Sequence, residues 1–213
     1  MATNGETRLR YGSRLTDAPI ASQIAALRSL LAVRARTEIV DRAARRAAVL
    51  VPLVAAARGL EILCFERTDT VHEHKGEICF PGGAVDPGDA TAVAAALREA
   101  HEELGIAAAD VDVLGLLDDT PTTVSNYIIT PVVGFIAAPK GLVPDALEVA
   151  RPISFSLADI VAGGAQTFQR RMSDGTTRML YSFSAGGDHI WGATARILHG
   201  MLSAWLGSEG DGS

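Results

Sequence analysis

The sequence predicts an α+β fold in which a sheet is covered on two faces. Three observations predict it. Short apolar runs bounded by Gly, Pro and Asp recur through the middle of the chain and read as strands. A few segments around them carry helical periodicity instead. Hydrophobic residues make up 48% of the 213 positions, enough for a globular chain with a sizeable core.

Taken in order, residues 1–14 read as a flexible tail and 15–45 as an N-terminal helical extension, where Ile20, Ile24, Leu27 and Leu31 recur at helical spacing. A main domain is expected over 46–206. It opens with two strands, AAVLVPLVAA and LEILCFER, around the Arg58-Gly59 turn, followed by a short strand in GEICF. VDPGD is a turn in which Asp89 is placed to cap the next helix, expected over about 90–104 and stopped by Gly105. Val93, Leu97, Ala100 and Leu104 form the expected apolar stripe of that helix. VDVLGLLDD, YIITPVVGFIAA and LEVARPISF read as further strands, and SLADIVAGG as a short helix. A hairpin is expected around Asp174-Gly175. HIWGATARILHGMLSAWL makes the last helix, with Trp191 and Trp205 expected in its packing, and 207–213 a flexible tail.

Composition narrows the function. A net charge of −6 leaves no basic surplus for coating nucleic acid. Cys64 and Cys79 are too few for a disulfide framework and have no metal-ligand spacing, so they read as small buried hydrophobes. No apolar segment approaches the ~20 residues of a membrane span, and the N-terminus has no signal-peptide core. The reading is a soluble, cytoplasmic protein with no membrane partner, monomer or homodimer.

The stretch LREAHEELGI then demands an explanation. Glu99, Glu102 and Glu103 stand at i, i+3 and i+4, a spacing at which like charges destabilise a helix by about 0.2–0.5 kcal/mol per pair. At 100° per residue they fall roughly on the side opposite the expected apolar stripe. Carboxylates so placed suit a hard divalent cation, which removes the repulsion. His101 sits beside them, but a hard ion prefers oxygen, so it reads as structural.

From Gly83 onward, GAVDPGDATAVAAALREAHEELGI resembles the Nudix box, whose second half reads Arg-Glu-U-x-Glu-Glu-x-Gly-U with U a bulky aliphatic residue. Arg98-Glu99, Glu102-Glu103, Gly105 and Ile106 sit in place. Asp89 stands for the first Glu of the motif, one residue further from Arg98 than usual, and Ala100 is smaller than the usual U. The coenzyme A pyrophosphatase subgroup shares the first two departures. It also has an upstream motif that LCFERTDTVHEHKGEICFPGG resembles, with Arg67, Gly76 and Phe80-Pro81-Gly82-Gly83 at its spacing. Thr68 replaces a Ser or Ala there, and His72 replaces its second Arg. TPVVGF and IWGATARIL extend the resemblance over roughly residues 45–205.

The resemblance implies the Nudix fold, an α/β/α sandwich with a mixed central sheet, and metal-dependent hydrolysis of a nucleoside diphosphate derivative. It implies Mg²⁺ or Mn²⁺ as cofactor on Glu99, Glu102 and Glu103, with Arg98 organising the loop through Asp89. Gly82 and Gly83 would let the backbone approach the metal. Glu99 and Glu148 both stand as candidates for the general base. Arg67, His72, His74 and Lys75 are the cations available to the phosphates of a small-molecule nucleotide substrate, although His cannot copy the bidentate grip of Arg. The leading expectation is cleavage of coenzyme A to 3′,5′-ADP and 4′-phosphopantetheine. A Nudix hydrolase of ADP-ribose, a dinucleotide or a nucleoside triphosphate is the alternative, and a nucleotide sensor without turnover a further one. The intact Arg-Glu-x-x-Glu-Glu speaks against the sensor.

Overall fold

A computed structural model describes residues 7–12, 18–68, 76–122, 126–138, 140–172 and 175–209. In chain order these form β1 (Thr7–Tyr11), α1 (Ile20–Val33), β2 (Arg45–Ala56), β3 (Gly59–Arg67), β4 (Ile78–Cys79), β5 (Gly82–Ala84) and α2 (Ala92–Leu104). There follow β6 (Asp112–Leu116), β7 (Thr120–Pro121), β8 (Tyr127–Ile136), β9 (Val149–Ser156), α3 (Leu157–Gly163), β10 (Ala165–Arg171), β11 (Thr177–Ala185), β12 (Asp188–Ile190), α4 (Gly192–Leu206) and β13 (Ser208–Glu209).

The central sheet runs β4-β3-β2-β8-β6, with β5 on β2, β7 on β8 and β9 on β3. It is mixed. β2 and β8 are parallel from Arg45↔Tyr127 to Val54↔Ile136, while β3, β5, β6 and β9 pair antiparallel to their neighbours. A parallel pair needs a crossover, and the chain between β2 and β8 supplies it through α2.

Burial along β2 explains its unbroken apolar run. Ala48, Leu50 and Val54 join the core that packs α2, with Ala95, Ala96, Ala100 and Leu104. Ala47, Val51 and Leu53 join the other core, with Leu27 and Leu31 of α1, Ile160 of α3 and Leu198 and Met201 of α4. A strand buried on both faces shows no alternation in sequence, because successive side chains point into two different apolar layers.

Several expectations need correction. Residues 1–14 do not all form a tail: β1 pairs with β10 and with β13, and Leu9 and Tyr11 are buried. Their i, i+2 spacing puts both on the inner face of the strand. The C-terminal tail from 207 likewise contributes β13, as the partner of Arg10 and Tyr11. Within the 15–45 extension the helix runs only from Ile20 to Val33. Neither helix nor strand follows it before β2, and Arg34 and Arg36 reach across to Asp118 and Asp119. Asp89 does not cap α2. Thr91 does so, its hydroxyl accepting from the Ala94 N–H at 3.1 Å, because the Asp89 carboxylate is drawn to Arg98. Trp191 opens α4 half-exposed, whereas Trp205 is buried. Arg171 pairs with Thr177 across the β10–β11 hairpin, but Asp174, its expected turn residue, lies outside the described residues. Cys64 is buried and Cys79 partly so, and both are free thiols.

Candidate active site

The two strand-and-loop segments before α2 position everything that follows. β5 lies on β2 through Gly82↔Val49, Gly83↔Ala48 and Ala84↔Ala47, which sets the Gly-Gly backbone beside the middle of α2. The helix lies close on the sheet because its inward face is small: Ala95, Ala96 and Ala100 are fully buried. That closeness carries Glu103 inward with them. Glu103 is 3% exposed, so the expectation that all three glutamates occupy a solvent face fails for this one. The face is turned because alanines, rather than the larger Val93 and Leu97, make the tight contact.

A buried carboxylate requires partners. Glu103 Oε2 accepts from the Gly82 N–H at 2.8 Å, and Arg67 Nη1 stands 3.9 Å from Oε1. Burial nonetheless dominates and pushes its carboxyl up to about 8, against the opposing pull of Gly82 and Arg67. Glu99 moves the same way, raised by burial against the nearby Arg98 guanidinium. Glu102 is the exposed member of the three.

Arg98 is the organiser. It forks onto Asp89, Nε to Oδ1 at 3.2 Å and Nη2 to Oδ2 at 3.0 Å, and donates to the Ala84 carbonyl at 3.1 Å. Asp86, which sequence reasoning missed, adds an ion pair at 3.6 Å. Hydrogen bonding from Arg98 holds the Asp89 carboxyl below its ordinary range. The other edge of Arg98 reaches Glu99 at 2.9 Å and Glu102 at 3.1 Å through Nη1. Helix and preceding loop are thus tied by one planar fork, which Lys has no geometry to replace.

Gly83 explains why glycine stands there. A Cβ at that position would lie 2.5 Å from Glu99 Oε1. At Gly82, with φ +155°, it would meet the Ala48 carbonyl oxygen at 2.4 Å, a clash with backbone that cannot move aside.

Arg67, from the end of β3, joins the group. Its Nη2 donates to Glu148 Oε2 at 3.2 Å while Nη1 approaches Glu103. The Thr68 N–H and hydroxyl bond the Glu148 and Leu147 carbonyls, fixing the β3 end to the chain entering β9. Arg67, Gly82, Glu103 and Glu148 are therefore linked by direct contacts, as are Arg98, Glu99 and Glu102, and Gly83 brings the two sets side by side. His72, His74 and Lys75 lie outside the described residues. His101 is exposed on α2.

Residues 44–174, more than half of the chain, match the family model of the NUDIX domain. The chain is a Nudix hydrolase. Such enzymes act on diphosphate bonds of small nucleotide substrates, generally with divalent metal ions. This Nudix chain is 33% identical over 155 residues to the uncharacterized Nudix hydrolase NudL of Photorhabdus laumondii, covering 73% of this chain and 82% of that protein. To the protein of the same name from Citrobacter koseri it is 35% identical over 154 residues, covering 72% and 79%. Among solved structures, the MutT/nudix family protein of Enterococcus faecalis superposes with a TM-score of 0.52 at 17% identity, over 85% of this chain and 67% of that one. At that identity the likeness speaks for the Nudix fold. No helix among the described residues is long and apolar enough to cross a membrane.

The Nudix site fits a divalent ion by its donors. Three carboxylates are hard oxygen ligands, and burial disfavours the ionised form of Glu103, which the positive charge of a bound cation would favour. As the side chains stand, no three acidic, His or Cys groups among the described residues surround one point. Arg98 holds Glu99 and Glu102 instead, a contact on Nη1 that can be given up without breaking its fork on Asp89.

Proposed function

We propose that this Nudix hydrolase cleaves the diphosphate of coenzyme A or its derivatives, yielding 3′,5′-ADP and 4′-phosphopantetheine, with Mg²⁺ or Mn²⁺ as cofactor. The observation that supports this reading is Arg67. It stands at the first arginine of the upstream motif typical of the coenzyme A subgroup, and it meets Glu103 and Glu148 beside the Nudix glutamates. One arginine of the subgroup motif thus stands beside the family's glutamates, which supports this reading.

In this reading Glu99, Glu102 and Glu103 hold the ion. When bound, it neutralises diphosphate oxygens and lowers the pKa of an attacking water. The chain's own residues do the rest. Arg98 and Asp89 keep the Gly82-Gly83 loop against α2, so that the backbone approaches the diphosphate without side chains between. Arg67 offers a second guanidinium edge to phosphate oxygen when Glu148 releases it. Of the two candidates for general base, Glu99 belongs to the ion-holding group and is engaged by Arg98 at 2.9 Å. Glu148 is partly buried and engaged by Arg67.

The test is a substrate panel with Mg²⁺ and with Mn²⁺, products identified by mass: coenzyme A, dephospho-coenzyme A, ADP-ribose, dinucleotides and nucleoside triphosphates. Highest kcat/KM on coenzyme A, with 3′,5′-ADP released, is the expected result. Preference for ADP-ribose or a dinucleotide would remove the coenzyme A reading and leave the family assignment untouched.

A further inference from the structure

A second cleft, of about 480 Å³, lies away from the glutamates. Leu117 and Ile197 in its wall belong to the core that packs α1 and α4, not to the core that packs α2. Its charges are unusual for a protein of net charge −6. Arg34, Arg178 and Arg196 line it together with Asp118 and Asp119.

The two aspartates are already occupied. Asp119, whose side chain is fully buried, accepts from Arg36 at 2.6 Å, Thr130 at 2.8 Å, the Ile39 N–H at 3.0 Å and Arg46 at 3.1 Å. Asp118 accepts from Arg34 Nη2 and from the Thr37 N–H. What remains is positive. Among the described residues, Arg34 Nη1 is buried without an acceptor, and Arg196, half-buried on α4, has no hydrogen-bond or ion-pair partner. A buried guanidinium N–H without an acceptor is a cost that an anionic ligand removes.

One wall of the cleft is flat. The Tyr181 and His199 rings stack with centroids 3.8 Å apart at 16°. The His199 ring is held in place by contacts of Nδ1 with the Tyr11 hydroxyl at 2.9 Å and the Ser203 hydroxyl at 3.3 Å.

We propose that this cleft binds the phosphate monoester of a nucleotide, the phosphate on Arg34 and Arg196 and the base or sugar against the Tyr181–His199 wall. Guanidinium forks match phosphate oxygens, and a rigid aromatic wall suits a planar base. The phosphate has two possible sources, the substrate's own terminal phosphate or a separate nucleotide. The site stands whether or not coenzyme A is the substrate.

The test is isothermal titration of the full chain with AMP, with chelator present so that nothing turns over. AMP should bind, adenosine should bind at least tenfold more weakly, and inorganic phosphate should compete. Arg196→Gln, which loses no partner among the described residues and should melt like the parent, should weaken AMP at least tenfold. Glu102→Gln should leave AMP affinity unchanged. Equal affinity in parent and Arg196→Gln, no AMP binding by the parent, or loss in Glu102→Gln instead would overturn the proposal. Kinetics separate the sources. A KM raised in Arg196→Gln for coenzyme A but not for dephospho-coenzyme A assigns the phosphate to the substrate. An AMP effect on parental turnover that Arg196→Gln abolishes, with KM unchanged, assigns it to a separate nucleotide.

Discussion

Replacing Glu103 by Gln probes the most unusual electrostatic feature of the site. The amide keeps the shape and an oxygen for the Gly82 N–H, but cannot ionise. In the metal-free protein the Glu103 carboxyl titrates near 8 rather than 4.5, because burial outweighs Gly82 and Arg67. Between those values the unfolded chain binds fewer protons than the folded one, so parental stability falls as pH rises. That contribution is complete below 4.5 and lost through 8. At about 1.36 kcal/mol per pH unit, the stability gained by Glu103→Gln is about 1 kcal/mol at pH 5 and about 5 kcal/mol at pH 9. For a chain of this size the melting-temperature advantage of the variant should therefore widen by about 8–16 °C over that range. Thermal unfolding in chelator, followed by circular dichroism at both pH values, measures it. Parallel pH profiles for parent and variant would refute the argument that burial governs this group. Adding Mg²⁺ should then raise the parental melting temperature at pH 8 and leave the variant nearly unmoved, since only the parent gains an ionised ligand.

The other predictions concern turnover. Glu102→Gln should lower kcat at least ~100-fold with nearly unchanged melting, since Glu102 is exposed and the like-charge repulsion relieved, about 0.2–0.5 kcal/mol, is of the same size as the exposed Arg98 pair lost; parental turnover with unchanged metal dependence would end its role as a ligand. Gly83→Ala should fold, because the atom it meets is the movable end of Glu99, yet lose at least ~10-fold in kcat as that carboxylate is displaced; a kcat equal to the parent would show that Glu99 has room to work elsewhere. Hydrolysis of coenzyme A in ¹⁸O-water should label only one of the two phosphate products, because one fixed water has one line of attack; label split evenly would rule out a single substrate pose.

Much of the site is legible in the order of residues alone, for a physical reason. Like charges crowded at i, i+3 and i+4 oppose the local propensity of a helix, and a conflict of that kind marks function. The Arg98–Asp89 pair follows from the family motif despite its extra residue. What one-dimensional spacing does not reveal is the depth of Glu103. Helical periodicity places residues by angle only, whereas the tight contact is made wherever the side chains are smallest, here at Ala95, Ala96 and Ala100. The tail assignments fail for a related reason. The alternation of Leu9 and Tyr11 is present in the sequence, but a five-residue strand is meaningless until β10 and β13 offer it partners.

By itself, then, the sequence determined the family and the mixed layering of strands and helices, and it marked the glutamates as candidate ligands, since all of these are carried by residue type and local spacing. Tertiary structure alone decided which carboxylate is buried, that Arg67 reaches it from the end of β3, and that Arg34 and Arg196 meet in one cleft although far apart in the chain. Those outcomes depend on how close two layers approach and which loops end side by side. Such long-range distances are set by packing between segments, and no single segment encodes them.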